Sequence, residues 1–305
     1  MAEREVDVQA FLSAERERVN AVLEAVSADA VQGAPDALRD PMLYALAAPG
    51  KRLRPILCVA AWRAVLGVDE APDAVYRMAC AVEIVHTYSL VHDDLPCMDD
   101  DDLRRGRPTV HRVHGVPRAS LAGAALIPAA VRVLDGAARD HGLDDGRRRA
   151  LVSALCRAGG ALGMVGGQLL DLQGEERPTD AARLEAIHRR KTGALLAASL
   201  RIGALAAGAG RETLAALAVY GESIGLAFQI VDDVLDVTAD AAALGKTAGK
   251  DESSGKATYP ALYGLDGARA LAARHVDAAV DALRHASVTP RELAPLARYI
   301  VQRRR

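Results

Sequence analysis

The sequence predicts an all-α protein, and three observations carry that expectation. Alanine and leucine dominate, while Phe, Trp and Tyr together make up only 3% of the chain. That balance favours helix over sheet. Apolar residues recur every three or four positions through most of the 305 residues, the period of a half-buried helix. Clusters of Gly and Pro punctuate the periodic stretches.

Those stretches run over 5–28, 36–48, 52–67, 72–95, 117–140, 144–173, 180–208, 212–238, 258–285 and 290–303. The breaks between them fall at Pro49-Gly50, Pro72, Gly106 to Pro108, Gly115 to Pro117, Gly174 to Pro178, Gly208 to Gly210 and Gly245 to Gly255. Thr179-Asp180 before a periodic run is a helix N-cap signal. The run 193–209 (GALLAASLRIGALAAGA) is apolar nearly all round, so it belongs inside a bundle or at a subunit interface. No Pro- or Ser-rich linker divides the chain, and no repeat period stands out. The expectation is one bundle of about ten helices forming a single domain over residues 1–305.

Composition narrows the function. A formal net charge of −2 does not suggest a nucleic-acid partner. Cys58, Cys80, Cys97 and Cys156 have neither CxxC spacing nor a framework pattern, and read as reduced thiols of a cytoplasmic protein. The N-terminus is charged and amphipathic, without the apolar core of a signal peptide. No run reaches about 18 uninterrupted apolar residues, so no membrane span is expected.

Against this apolar background stand two aspartate clusters about 140 residues apart. The first is HDDLPCMDDDDLRRG, from His92 to Gly106; the second is QIVDDVLD, from Gln229 to Asp236. Carboxylates in apolar helical sequence are costly unless something neutralises them. Asp232 and Asp236 are four apart and share a helix face. Two or three carboxylates on one face suit Mg²⁺, which completes its shell with water and phosphate oxygens. The competing reading of DDxxD is a solvated acidic patch. Leu226, Ala227, Phe228, Ile230, Val231, Val234 and Leu235 around it argue against free solvation. In the first cluster Asp93 and Asp99 are six apart, which a straight helix does not bring together. Pro96 distorts that turn, and a widened turn there would aim Asp93, Asp94 and Asp99 at one ion. Asp101 and Asp102 read as a solvated run.

Basic groups accompany the acids. Arg104 and Arg105 follow the first cluster, and their guanidinium forks match phosphate oxygens, although charge balance alone also explains them. Lys51, Arg52 and Arg54 lie in a turn at a helix start, where free N–H groups favour anions. Lys191-Thr192, Lys246 and Lys256 lie in glycine-containing segments, and 245–256 reads as a loop able to close over phosphate. His86 is seven residues before Asp93 and so lies nearly on the same face.

The ordered motifs resemble those of the trans-polyprenyl diphosphate synthases, most closely the bacterial farnesyl diphosphate synthases. The resemblance rests on GKRLRP at 50–55, EIVHTYSLVHDDLPCMDDDDLRRGRPT at 83–109, GMVGGQLLDL at 163–172, IHRRKTGALL at 187–196, YGESIGLAFQIVDDVLDVT at 220–238, LGKTAGKDESSGKATYP at 244–260 and the terminal ARYIVQRRR. It implies an all-α bundle around a central cavity (the isoprenoid synthase fold), a homodimer, and head-to-tail 1′-4 condensation of isopentenyl diphosphate with an allylic diphosphate. It implies Mg²⁺, three ions per site, between the clusters and the allylic diphosphate, on Asp93, Asp94, Asp99, Asp232 and Asp236. The allylic diphosphate would lie on Arg104, Lys191, Lys246 and Lys256. The isopentenyl diphosphate, which must not ionise, would lie away from the metal on Lys51, Arg54, His86 and Arg105. Lys191, Thr192 and Gln229 would serve the reacting centre, the last two as oxygen dipoles beside the allylic cation. Tyr88, five residues before Asp93 with Ile84 and Ala81 below it, would floor the cavity and favour the fifteen-carbon farnesyl product over geranylgeranyl.

The chain departs from the family at Ala124, where a GDAL motif usually places Asp, and this removes a carboxylate from a helix beside the first cluster. Two other classes share part of the equipment. A terpene cyclase also ionises on DDxxD, but it needs no isopentenyl site and lines its cavity with more aromatics. A non-catalytic synthase subunit commonly lacks one cluster, and this chain keeps both.

Overall fold

The computed structural model describes residues 7–175, 180–238, 258–284, 286 and 288–302. Thirteen α-helices lie among these residues. They are α1 (Val8–Ala30), α2 (Asp36–Leu46), α3 (Leu53–Leu66), α4 (Asp73–Asp93), α5 (Val110–His114), α6 (Val116–Asp140), α7 (Asp145–Gly159), α8 (Met164–Glu175), α9 (Ala181–His188), α10 (Ala194–Ala206), α11 (Arg211–Thr238), α12 (Tyr259–Arg284) and α13 (Leu293–Gln302). The all-α expectation holds. The strands present among the described residues, β1 (Leu103–Arg104) and β2 (Arg107–Pro108), form a two-residue ribbon. Its turn is Arg105-Gly106, both at positive φ (54° and 76°). Two such residues make the hairpin turn whose twist matches paired strands.

The core forms where apolar stripes meet. Helices α3, α4 and α10 are buried almost all round, with Ile56, Cys58, Val59, Tyr76, Met78, Ile84, Leu195 and Ile202 nearly inaccessible. Around them α1, α6 and α7 contribute Val19, Leu126, Leu134 and Leu151. On the other side α11, α12 and α13 contribute Leu217, Tyr220, Ile224, Val276 and Leu296. Asp180 caps α9 as anticipated, accepting from the Arg183 amide at 2.8 Å.

Three of the expected helices are interrupted; 258–285 kinks at Gly264 (φ 70°), and the other two breaks matter to the site. The stretch 144–173 divides at Gly160–Gly163, where Gly160 ends α7 in an extended conformation and a side chain at Gly160 or Gly163 would meet the carbonyls of Cys156 and Ala158. The stretch 180–208 contains a π-helical turn, Arg189–Gly193, between α9 and α10. Such turns are rare and are frequent at functional sites.

Three stretches, Val116–Asp140, Asp145–Gly174 and Arg211–Thr238, are long and apolar enough to cross a membrane by length and composition. The requirement of an unbroken apolar run missed them because each tolerates an occasional charge. In the bundle 50%, 44% and 56% of their respective apolar windows are buried.

Candidate active site

Helix α4 delivers the first cluster at its C-terminal end. Asp93 is its last residue and Asp94 its C-cap. The chain then folds back on itself: the Asp99 amide donates to the Asp93 carbonyl at 2.8 Å, and the Met98 and Asp100 amides donate to the Leu95 carbonyl. A six-residue turn, wider than an α-helical one, brings Asp99 beside Asp93 after the helix ends. Asp100 takes a positive φ of 48° in that loop. Burial pushes the Asp93 carboxyl up to about 6; Lys191 opposes the shift, and the nearby Asp99 adds to it. A carboxyl raised by burial and neighbouring acids is one that a nearby cation would return toward its ordinary value.

Asp94 and Arg104, the residues expected at metal and diphosphate, are paired with each other in this structure. Asp94 is buried (3% exposed). Its Oδ1 accepts from Arg104 Nε at 2.8 Å and from Arg104 NH2, while Arg104 NH2 also donates to Asp101 Oδ2 at 3.0 Å. The cause is the cap position, which turns Asp94 inward, where a carboxylate needs a cation. Asp101, read as solvated, thereby has a partner.

The GKRLRP turn opens α3. Arg52 sits at φ 53°, a left-handed conformation uncommon outside glycine. It is held there by hydrogen bonds to Asn20 Oδ1 at 2.9 Å, Ala48 O at 2.7 Å and Glu83 Oε1 at 2.8 Å. The buried Arg52–Glu83 pair ties the turn to α4 one turn below His86. Arg54 is different: its Nε is buried with no hydrogen-bond partner. Burial lowers its pKa to about 10, with Glu83 and Asp232 opposing the shift and Arg105 adding to it. His86 is held well below the ordinary imidazole value by burial first, then by Arg54, Arg105, Arg52 and Arg104. Arg105, on the ribbon turn, donates to the Pro49 carbonyl. It lies so close over Gly50 that a side chain there would collide with the guanidinium. The ribbon thus docks on the turn and gathers Arg54, His86 and Arg105; Lys51 is exposed at its edge.

Lys191 and Thr192 lie on the π-helical turn. Lys191 Nζ donates to Asp171 Oδ2 at 2.6 Å. Close backbone approach sets this turn, since a side chain at Gly167 would meet the Lys191 backbone and one at Gly225 would meet Gly193. Asp171 and Gln168, both in the GQLLDL motif, were overlooked as site residues. Gln168 is buried with both side-chain polar atoms unpartnered. The signal was available: two polar residues three apart in an otherwise apolar helical run.

Helix α11 carries the second cluster, and its aspartates divide by face. Asp232 and Asp236 are partly exposed, whereas Asp233 is buried. Asp233 Oδ2 accepts from the Tyr259 amide at 2.9 Å and so holds the start of α12. Lys246 and Lys256 lie outside the described residues. Tyr88 is buried, and its hydroxyl donates to the Gly159 carbonyl at 2.7 Å. Ala124 is exposed on α6, while its neighbour Gly123 faces the His92 ring. The departure from the family motif therefore lies on the outer side of α6 and takes no carboxylate from the first cluster. A groove of about 850 Å³ lies between α1, α2 and the 47–52 turn, lined by Asn20, Leu23, Leu43 and Arg52 among others, away from the aspartates.

The polyprenyl synthetase family model matches residues 35–288. The chain belongs to the polyprenyl synthetase family. This polyprenyl synthetase is 48% identical to the farnesyl diphosphate synthase of Escherichia coli (strain K12) over 266 residues, covering 86% of this chain and 88% of that one. It is 45% identical over 269 residues to geranylgeranyl pyrophosphate synthase 9 of Arabidopsis thaliana, covering 87% and 73%. Its fold superposes on a geranyltransferase of Helicobacter pylori complexed with magnesium and isoprenyl diphosphate, with TM-score 0.78, 30% identity, and coverage of 98% and 96%. The polyprenyl synthetase is accordingly a prenyl transferase of the isoprenoid synthase fold.

Among the described residues no three His, Cys, Asp or Glu side chains converge closely enough to hold an ion unaided. That donor set fits Mg²⁺, which binds through one or two carboxylates, keeps water, and completes its shell with substrate phosphate.

Proposed function

We propose that this polyprenyl synthetase is a Mg²⁺-dependent farnesyl diphosphate synthase, condensing isopentenyl diphosphate with dimethylallyl and then geranyl diphosphate. The carrying observation is the separation of charge. Arg54, His86 and Arg105 gather where the GKRLRP turn meets the ribbon, and a half-buried Asp93, its carboxyl raised to about 6, stands beside Asp99 at the end of α4.

Asp93, Asp99, Asp232 and Asp236 would hold the metal. Bound there, Mg²⁺ supplies Lewis-acid stabilisation of the departing allylic diphosphate. Lys191, fixed by Asp171, places a cation beside the same anion. Lys246 and Lys256 are assigned to that diphosphate by motif, and Asp94 braces Arg104 for it. Lys51, Arg54, His86 and Arg105 hold the isopentenyl diphosphate, and because its site lacks the metal it does not ionise. Thr192 and the Gln229 carbonyl face the allylic cation as dipoles in a site that excludes water. No side chain is needed as the final base, since the released diphosphate accepts the proton.

Tyr88, anchored through its hydroxyl, is the floor that stops growth at fifteen carbons. A geranylgeranyl synthase is the second reading, favoured by the similarity to the Arabidopsis enzyme. The protein acts as a homodimer in the cytoplasm, without a membrane span or a nucleic-acid partner. Support for the dimer is the exposed apolar stripe of Leu121, Ala124 and Ile127 on α6, with Leu162 and Leu169 near the α7–α8 junction. The four free cysteines suit a reducing compartment.

The test is incubation with Mg²⁺, labelled isopentenyl diphosphate and, in parallel, dimethylallyl, geranyl or farnesyl diphosphate, followed by sizing of the products. A fifteen-carbon end product from the first two starters supports the reading. Twenty carbons would discard the Tyr88 floor and keep the chemistry. Folded protein with no elongation would sink the assignment.

A further inference from the structure

His188 closes α9 and leads directly into the π-helical turn that bears Lys191 and Thr192. Four observations converge on it. It is buried, at 9% exposure, between three elements. Its Nδ1 lies 3.3 Å from Gln229 Nε2 on α11. Its Nε2 has no hydrogen-bond partner and faces Asp233 Oδ2, one helical turn beyond Gln229, at 3.8 Å. Its ring stacks on Tyr259 at 5.5 Å with an interplanar angle of 23°, and Asp233 itself holds the Tyr259 amide.

The protonation state follows from this setting. Burial lowers His188 to about 4, so at neutral pH the ring has one N–H and one acceptor nitrogen. The proton belongs on Nε2, opposite the Asp233 carboxylate. Nδ1 is then an acceptor, and only the amino group of the Gln229 carboxamide can satisfy it. With its NH₂ taken, Gln229 must turn its carbonyl oxygen away from His188. In the opposite orientation two acceptors would face each other, a buried arrangement that leaves both unsatisfied.

We propose that His188 is a positioning residue that locks the Gln229 carboxamide with its oxygen toward the reacting allylic cation. This rests on the role given to Gln229 above. Asp233 and Tyr259 fix the imidazole tautomer and plane, so the buried aspartate of the second cluster serves orientation while its neighbours serve the metal. His188 does not touch substrate.

The experiment compares His188→Asn with His188→Gln in the full-length enzyme. An Asn carbonyl replaces the acceptor at Nδ1, whereas a Gln side chain reaches the Nε2 position toward Asp233 and leaves the Gln229 amino group without its acceptor. The expected result is near wild-type kcat for His188→Asn and a loss of about 10- to 100-fold in kcat for His188→Gln, with the KM values of both diphosphates unchanged. Combining His188→Gln with Gln229→Leu is expected to cost no more than Gln229→Leu alone, because the two act as one unit. Melting temperatures of the variants separate this from a packing role, which would move both substitutions together. Equal kcat for the Asn and Gln variants, or additive losses in the double variant, would overturn the inference and leave the synthase reading intact. Failure of the wild-type protein to elongate any starter would instead overturn the reading on which the inference stands.

Discussion

The two sides of the site handle charge in opposite ways. On the proposed isopentenyl side burial lowers Arg54 to about 10, still a cation at neutral pH, and holds His86 well below the ordinary imidazole value, with the neighbouring arginines adding to the His86 shift. On the proposed metal side burial raises the Asp93 carboxyl to about 6, with Lys191 opposing and Asp99 adding. On the proposed reading each side would favour the charge its ligand brings, phosphate on one and Mg²⁺ on the other. Two diphosphates with the same head group would then be sorted by field, and only the one beside the carboxylates would be set to lose its leaving group. The supports differ as well. Arg52, pinned by three partners, holds the cationic side rigid. A reversed loop and the paired Asp94–Arg104 hold the acidic side.

The comparison can be broken most strongly on the acidic side. Asp93→Asn is expected to lower kcat by about a thousandfold, since metal stabilisation of developing charge is worth several kcal/mol. EDTA should abolish wild-type turnover, and Mg²⁺ should restore it. An Asp93→Asn enzyme within tenfold of wild type would remove that residue from the metal site. Arg52→Ala should destabilise the fold by about 3–5 kcal/mol, because it leaves Glu83 buried without its cation. Denaturant titration checks this, and a loss below about 1 kcal/mol would show that the turn is not held as described.

Smaller effects sharpen the contrast. Arg54→Gln should raise the KM for isopentenyl diphosphate about 10- to 100-fold, the worth of one charged hydrogen bond, while the allylic KM stays fixed. Equal rises in both would mean the two sites are not separated by field. The mildest effect is a pH dependence of Mg²⁺ stabilisation. Asp93 titrates at about 6 in the folded protein, above the ordinary carboxylate value. A raised folded pKa means the native state holds the proton more tightly, so this stabilising term is complete below the unfolded value and is lost as pH rises through 6. Mg²⁺ must displace that proton in the acid range but not above it. Thermal melts should show Mg²⁺ raising Tm by a few degrees more at pH 7.5 than at pH 5. Equal shifts would place the ion elsewhere.

Much of this molecule was legible before folding. The three- and four-residue period located most helices because burial in a bundle demands an apolar stripe, and Asp180 announced its cap. The spacing of Asp232 and Asp236 set a shared face on α11, since a long apolar helix allows no other arrangement. What escaped were features made by contacts distant in sequence. The π-helical turn at Arg189–Gly193 depends on Gly167 and Gly225 letting three backbones approach. The pairing of Asp94 with Arg104 depends on a loop that reverses after α4. Asp171 acquires meaning only when Lys191 arrives 20 residues later in the chain. Asp233 looked like its neighbours until Tyr259 and His188 claimed it. Local periodicity and residue type determined which segments are helical and which side chains carry the charge. Only the tertiary structure decided which charges neutralise one another and which are left facing the ligands, because that choice is made by burial and by partners far apart in the chain.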